Sequence, residues 1–191
     1  MIRATRSDKE LIVGILTNSF ADNKSVNYII QQDSKRIERI KSLMEYSFEV
    51  CLMFGEVFIS ADKKGCALIL FPDKKKTTVN SLLLDLKLLL KSTGLQNAIK
   101  AMKREEAIQK LHPDGLLYYL WFIGVDNSEQ NKGIGSALLQ EVITQATLQK
   151  RLVILETSTE KNIPWYEKHG FKMYNKLNLG YNLYFLKNIN N

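Results

Sequence analysis

The stretch that decides the fold covers residues 120–136, which read LWFIGVDNSEQNKGIGS. An apolar run is followed by a short polar turn, and a Gln-x-x-Gly-x-Gly segment then leads into an apolar helical pattern. The backbone N–H groups at a helix N-terminus have no partners within the helix, and the helix dipole adds about half a positive charge there. Gly133 and Gly135 let the chain turn and let its backbone approach an anion closely. The pattern therefore predicts a strand, a tight turn and a helix N-terminus that together bind phosphate.

Two familiar phosphate-binding motifs do not fit this segment. The dinucleotide fingerprint Gly-x-Gly-x-x-Gly needs a third glycine, and Leu138 stands in its place. The P-loop needs a lysine after its second glycine, whereas Lys132 precedes the glycine here. The remaining loop pattern by itself is compatible with a glycine-capped surface turn or with a nucleotide-binding module.

A second segment, residues 152–171, adds a specific pattern and reads LVILETSTEKNIPWYEKHGF. Its first four residues form an apolar run typical of a buried strand. Asn162 is a candidate N-cap for a short helix, and Pro164 suits the first turn of that helix. Gly170 stands where a glycine commonly ends a helix. Strand, capped short helix and Gly-Phe follow the phosphate loop in a fixed order.

Together, the Gln-x-x-Gly-x-Gly loop and the Tyr-Glu-Lys-x-Gly-Phe run resemble the GNAT superfamily of acetyl-CoA-dependent N-acetyltransferases. The resemblance is specific over residues 117–187 and only topological before them. It implies an α/β (α+β) fold with a mixed, mostly antiparallel sheet of six or seven strands flanked by helices. Strands 4 and 5 are expected to splay apart. The implied activity is transfer of the acetyl group of acetyl-CoA directly to a primary amine of a small molecule or peptide; a catalytically inactive CoA-binding or sensor protein is the alternative.

The same resemblance assigns the cofactor-binding residues. The pantetheine arm of acetyl-CoA would lie along the end of strand 4, the loop would hold the pyrophosphate, and Asn162 would contact the arm. Lys132 would add charge near the phosphates or remain a solvated lysine. Tyr166 matches the family's general acid, and its phenol, with an ordinary pKa of about 10, can protonate a leaving thiolate of comparable basicity. The expected cofactor-binding residues are Ile123, Gly124, Val125, Gln130, Asn131, Lys132, Gly133, Ile134, Gly135, Ser136, Asn162 and Tyr166.

The general base is the weakest part of the sequence pattern. Many family members place a carboxylate on strand 4, but residues 118–125 contain none. Glu156, at the end of strand 5, is the candidate base, although a solvated glutamate is the simpler expectation at a strand end. His112 is a second candidate base, although an exposed histidine in a turn is the simpler expectation. His169 is expected to stabilise the end of a helix. A chain of water molecules leading to solvent is the remaining alternative.

Composition limits the partners. The chain has 27 basic and 20 acidic residues and a net charge of +7, which suits a polyanionic ligand such as coenzyme A. No basic block is interleaved with aromatic residues, so nucleic acid is not expected. Cys51 and Cys66 have no spacing typical of a metal site, and no metal is expected. Without a signal-like N-terminal segment or an apolar run of membrane-spanning length, a cytoplasmic protein without membrane contact is predicted, as a monomer or homodimer.

The rest of the chain fits one domain over residues 1–191. A strand at 2–5, a capping box at Ser7 to Glu10, a polar loop at 21–27 and a helix from Ser34 to Met53 are predicted. A β-hairpin follows, with strands at 56–60 and 66–71. Two helices, at 82–90 and 95–111, form an insertion over residues 72–115 whose apolar face covers the core, a partner chain or the acceptor pocket. Two strands around a turn at 178–180 end the pattern.

Overall fold

The fold is a seven-stranded sheet whose strands lie in the order β1-β2-β3-β4-β5-β7-β6. The computed structural model describes residues 1–190, with Leu95 and Gln96 described by their backbone alone. All neighbouring strands are antiparallel except β4 and β5, which are parallel. The predicted fold class is therefore confirmed. The strands are β1 (Ile2–Arg3), β2 (Gly55–Ile59), β3 (Gly65–Leu70), β4 (Leu117–Val125), β5 (Leu152–Thr157), β6 (Phe171–Asn178) and β7 (Asn182–Asn188).

Helices cover both faces of this sheet. They are α1 (Lys9–Ser19), α2 (Lys24–Ile29), α3 (Arg36–Phe54), α4 (Val79–Leu88), α5 (Gly94–Gln109), α6 (Ile134–Leu148) and α7 (Ile163–Lys168). Apolar residues of α1 and α3 pack on one face, and those of α6 and α7 pack on the other. Successive strand residues point to opposite faces, so Tyr118 joins the α6 side of the core while Tyr119 joins the α1 and α3 side. Among the described residues, no helix has both the length and the apolar composition needed to cross a bilayer.

The sheet opens at its parallel pair. β4 and β5 are paired only from Leu117 to Tyr119 on one strand and from Leu152 to Ile154 on the other. Beyond that point β4 continues to pair with β3, and β5 continues to pair with β7. The two strands therefore part, as the resemblance predicted.

A β-bulge lies at the start of the opening. Leu68 of β3 lies opposite Phe122, and the next residue, Ile69, lies opposite Leu120. Trp121 is thus an extra residue in β4. An extra residue bends a strand and increases its local twist, and here it lies next to the point where β4 and β5 stop pairing.

Two local predictions in the first 30 residues of the chain were wrong. The predicted polar loop at 21–27 contains the start of α2, because the Asn23 side chain caps this short helix by accepting a hydrogen bond from the Val26 N–H (3.1 Å). The predicted N-cap Ser7 does not begin α1. Instead, the Asp8 carboxylate accepts from the Thr5 N–H (2.9 Å), and a short 3-10 turn precedes the helix. The observed capping box, formed by Thr5 and Asp8, lies two residues before the predicted one, and α1 begins at Lys9.

The insertion consists of the two predicted helices, joined by a π-helical turn at Leu89–Thr93. Gly94 follows this turn with a φ of +67°, which favours glycine over other residues. Leu84 and Leu88 of α4 pack against the core next to α3. The other large apolar residues of α4 remain exposed, so core packing accounts for only part of its apolar surface; they are Val79, Leu82, Leu83 and Leu86.

Candidate active site

A cavity of about 1400 Å³ fills the opening between β4 and β5. One part of its wall is formed by the ends of these two strands, the loop 129–136 and α7. Residues of α2, α4 and α5 form another part. The insertion is therefore a wall of the cavity, in addition to its contact with the core.

The loop that ends the cavity has the geometry of an anion site. Gly133 has a φ of +86° and occupies the N-cap position of α6, without a capping side chain. Ala137 is the first residue whose N–H donates within the helix, to the Gly133 carbonyl (3.0 Å). The N–H groups of the three residues before it, 134–136, consequently have no partner within the helix and can bind an anion.

Gly135 faces two side chains of the cavity wall. A Cβ atom added at Gly135 would lie 3.6 Å from Val125 and 3.7 Å from Trp165, which are ordinary contact distances. A small side chain would fit, whereas a large one would enter the space in front of the helix N-terminus. The indole N–H of Trp165 donates to the Ser136 hydroxyl (3.0 Å) and holds α7 against this end of α6.

Lys132 lies beside the loop but is already paired. Its ammonium group lies 2.9 Å from the Glu129 carboxylate, and its side chain is largely exposed. Exposed pairs of this kind contribute little to stability, about 0–1 kcal/mol. The pairing reduces the net charge that Lys132 brings to the site.

The end of β4 presents a free backbone edge to the cavity. The Asp126 N–H donates to the Lys64 carbonyl on the β3 side (2.8 Å). Because backbone groups alternate in direction along a strand, those of Ile123 and Val125 face the opening. The Val125 carbonyl accepts from the Ser19 hydroxyl (2.9 Å). The remaining groups of this edge can pair with an extended ligand as an additional strand would.

Glu156 lies at the centre of a buried acid–base cluster in the cavity wall. One carboxylate oxygen accepts from the Tyr119 hydroxyl (2.6 Å), and the other lies 2.7 Å from Nε2 of His112. The side chain of Glu156 is 5% exposed and that of His112 is 10% exposed. Burial raises the pKa of the Tyr119 phenol, and the adjacent Glu156 carboxylate raises it further. Tyr119 therefore stays protonated and donates to Glu156.

The predictions of a solvated Glu156 and an exposed His112 were wrong. The segment between α5 and β4 brings His112 against the Tyr119 ring, with centroids 5.1 Å apart. Glu156 reaches the same place from β5, 44 residues further along the chain. A contact over that separation leaves no local pattern in the sequence. The sequence places Tyr119 on β4, but it does not indicate that the Tyr119 hydroxyl donates to Glu156.

Tyr166 is buried on α7 and lines the cavity. Its ring packs against Trp165 and Phe171, with centroids 4.7 and 5.7 Å away. In the part of the chain that the structure describes, its hydroxyl forms no hydrogen bond, so this group is available to a ligand. Burial raises the pKa of Tyr166 and keeps the phenol protonated.

Asn162 and His169 lie at the two ends of α7, on either side of Tyr166 in the chain. Asn162 occupies the N-cap position of α7 and lines the cavity, but its side chain makes no capping hydrogen bond. Nδ1 of His169 lies 2.8 Å from the Trp165 carbonyl at the other end of the helix. This contact fits the structural role predicted for His169. Among the described residues, no cluster of three or more His, Cys, Asp or Glu side chains could hold a metal ion.

Comparison with known proteins agrees with this geometry. The family model of the acetyltransferase (GNAT) domain matches residues 98–173. The fold is similar to that of a histone acetyltransferase HPA2 and related acetyltransferase from Corynebacterium glutamicum, with a TM-score of 0.74 and 21% identity over 97% of this chain and 93% of that chain. It is also similar to the C-terminal condensation domain of Ebony in complex with β-alanyl-dopamine, with a TM-score of 0.70 and 11% identity over 97% and 96% of the two chains.

Arabidopsis thaliana Naa50 in complex with a bisubstrate analogue, CoA-Ac-MVNAL, has a TM-score of 0.52 and 12% identity over 97% of this chain and 95% of that chain. The parted sheet thus defines the class of acetyltransferase folds. The match of the acetyltransferase (GNAT) domain model to residues 98–173 and the similar folds confirm the resemblance seen in the sequence.

Substitution of Gly135 tests the anion site. Gly135→Glu should abolish acetyl-CoA binding, measured by calorimetry, because it puts bulk and negative charge in front of the α6 N-terminus. Gly135→Gln adds the same bulk without charge and should weaken binding less. Gly135→Ala, which fits the available space, should leave the melting temperature nearly unchanged. Undiminished affinity in Gly135→Glu would exclude this loop as the pyrophosphate site.

Proposed function

We propose that the protein is an N-acetyltransferase that moves the acetyl group of acetyl-CoA directly to a primary amine of a small molecule or peptide. The observation that carries the proposal is the order of groups along one opening. An anion site lies at one end, a free strand edge follows, and a buried carboxylate and a free phenol line the same cavity. This order matches the order of pyrophosphate, pantetheine and thioester in acetyl-CoA.

The donor would bind in two ways along that opening. The N–H groups of residues 134–136 would hold the pyrophosphate, together with backbone of residues 130–133. The backbone groups of Ile123 to Val125 would pair with the amides of the pantetheine arm, and Asn162 would contact the arm from the β5 side. Support comes from Naa50, whose fold is similar and whose structure contains a CoA-based bisubstrate analogue.

The acceptor must reach the thioester as a neutral amine, because an ammonium ion has no lone pair for attack. Glu156 is the proposed general base and takes one proton from the amine, directly or through one water molecule. Both of its oxygens already accept a hydrogen bond, and each can accept a second one. His112 and Tyr119 orient the carboxylate, and the neutral Tyr119 adds no competing negative charge.

Attack forms the amide C–N bond and breaks the C–S bond, and the departing thiolate needs a proton. Tyr166 is the proposed general acid for this thiolate. Its hydroxyl has no protein partner among the described residues. Burial raises the pKa of the phenol, so Tyr166 holds a proton to give but is a weaker acid than an ordinary tyrosine. Two different residues would thus carry out the two proton transfers. Glu156 would accept the proton of the amine, and Tyr166 would donate a proton to the thiolate.

Turnover with amines tests the function itself. Purified protein with acetyl-CoA and a panel of primary amines and short peptides should release free CoA thiol with at least one acceptor, and mass spectrometry should find the acetylated amine. Acetyl-CoA binding without thiol release from any acceptor would instead favour a CoA sensor. If ATP raised the melting temperature of the protein more than CoA does, this result would contradict both the acetyltransferase and the CoA sensor.

Tyr166→Phe tests the general acid. The phenylalanine keeps the ring contacts and removes the proton, so turnover should fall about 10- to 100-fold, within the usual range of acid–base effects or just below it. Acetyl-CoA affinity should stay within about twofold, since no contact to the phosphates is lost. A variant with the full rate would leave Tyr166 a packing role only.

Glu156→Gln tests the general base and has a matched control on the opposite face of β4. Glu56 accepts from the Tyr118 hydroxyl (2.6 Å), as Glu156 does from Tyr119, but Glu56 is not part of the cavity wall. Glu156→Gln should lower kcat about 100-fold or more while acetyl-CoA affinity is retained. Glu56→Gln should lower stability without that loss of turnover. Equal activity of the two variants would remove Glu156 from the mechanism.

A further inference from the structure

Arg104 brings a positive charge to the wall of the cavity. It lies in the middle of α5, where its side chain lines the cavity. Its Nε donates to the Tyr181 hydroxyl (3.0 Å), and one terminal nitrogen donates to the Ser25 hydroxyl (2.5 Å). Arg104 therefore joins the insertion to α2 and to the β6–β7 turn.

Both of these partners are neutral. In the described part of the chain, no carboxylate oxygen lies within ion-pair distance of the Arg104 guanidinium. Arg151 differs in this respect, because its two terminal nitrogens contact Asp73 at 2.7 and 3.0 Å. Desolvation lowers the pKa of the Arg104 guanidinium, but the Tyr181 hydroxyl and the neighbouring Glu105 raise it overall, so the group stays charged. A carboxylate on its free donors would be a charged hydrogen-bond partner that the described residues do not supply at that distance.

The free donors of Arg104 are available to a ligand. A guanidinium group carries five N–H donors, of which two are used here. Ser25 and Tyr181 fix the plane of the group and add hydroxyl groups beside it. A planar, fixed guanidinium is suited to bind a carboxylate with two parallel hydrogen bonds.

The position of Arg104 separates it from the donor phosphates. Those phosphates are expected at the N-terminus of α6, whereas Arg104 contacts α2 and the β6–β7 turn. Its charge acts on the Tyr119 phenol and offsets part of the influence of the carboxylate next to it. An anion at Arg104 would thus lie on the acceptor side of the Tyr119–Glu156 pair.

The neighbouring charge favours a monoanion. Glu105, the next residue on α5, also lines the cavity and accepts from the Gln109 amide (3.0 Å). A second negative charge close by repels a dianionic phosphate more than it repels a carboxylate. Apolar side chains complete the wall between the charged groups and would contact the body of the acceptor; they include Met102, Trp121 and Phe122.

We propose that the acceptor carries a carboxylate in addition to its amine, and that Arg104 binds this carboxylate with Ser25 and Tyr181 beside it. An amino acid with an apolar body has this chemistry. The proposal rests on the function proposed above, because it assigns the two ends of one acceptor. The amine lies at Glu156, and the acid lies at Arg104.

Matched acids and amides test this assignment by binding alone. Calorimetry on CoA-saturated protein would compare phenylalanine, leucine, β-alanine and γ-aminobutyrate with their carboxamides. At least one acid should bind about 10-fold or more tightly than its amide, as expected for hydrogen bonds to a charged group. Arg104→Met should remove that preference and leave amide binding within about twofold. Arg104→Lys should restore part of it.

The control variant is Lys103→Met, which removes an exposed positive charge from the adjacent position of α5. It should keep the preference for acids. The proposal is overturned if no acid is preferred to its amide, or if Lys103→Met and Arg104→Met reduce the preference equally. Thermal unfolding identifies a misfolded Arg104→Met variant, and the comparison then uses Arg104→Lys and Arg104→Gln.

Thiol release with the same acids and amides separates this proposal from the proposed function. Equal rates for acids and amides, unchanged in Arg104→Met, would leave the acetyltransferase and reject the carboxylate site. Arg104-dependent binding of an acid without any thiol release would support the carboxylate site and reject the acetyltransferase. Preferential acetylation of an acid that is lost in Arg104→Met would support both.

Discussion

The parting of β4 and β5 is the constraint on which the rest of the site depends. The parallel pair of strands is held by three residue pairs and then opens. Beyond that point the inner edges of both strands lose their strand partner, and backbone groups without hydrogen bonds are unfavourable unless water or a ligand satisfies them. The strands can stay apart because each is held by an antiparallel neighbour on its other side, and because Trp121 adds a bulge where the opening starts. The outcome is a cavity with polar backbone along its edge.

This opening also explains why a carboxylate can be buried beside it. A buried glutamate requires hydrogen bonds to compensate for lost hydration. Tyr119 and His112 supply them to Glu156 from β4 and from the segment before it. The other face of β4 holds a pair of the same kind, formed by Tyr118 and Glu56, but away from the cavity. A tyrosine–glutamate hydrogen bond therefore lies on each face of β4, but of the two glutamates only Glu156 lines the cavity.

The helical insertion completes the wall of the cavity. Its first helix packs two leucines on the core, and its second helix brings Arg104 to α2 and the β6–β7 turn. The charges of this wall differ from those of the loop 129–136. The loop offers backbone N–H groups and the helix dipole, whereas the insertion offers individual ionised side chains. Under the proposed function, the loop would bind the donor and residues 72–115 would contribute to the choice of acceptor.

Residues 120–136 and 152–171 by themselves determined the strand–loop–helix units, because glycine positions, apolar runs and helix ends are local properties. They predicted a turn at Gly133 and Gly135, the start of α7 at Asn162 and Pro164, and the parted strands through the resemblance. The exposure of Glu156 and His112 was mispredicted, and the pairing of Arg104 with Ser25 and Tyr181 left no signal. These contacts join residues 44 to 79 positions apart. Only the tertiary structure decided them, because charge compensation inside a protein depends on which distant groups the packing brings within hydrogen-bond distance.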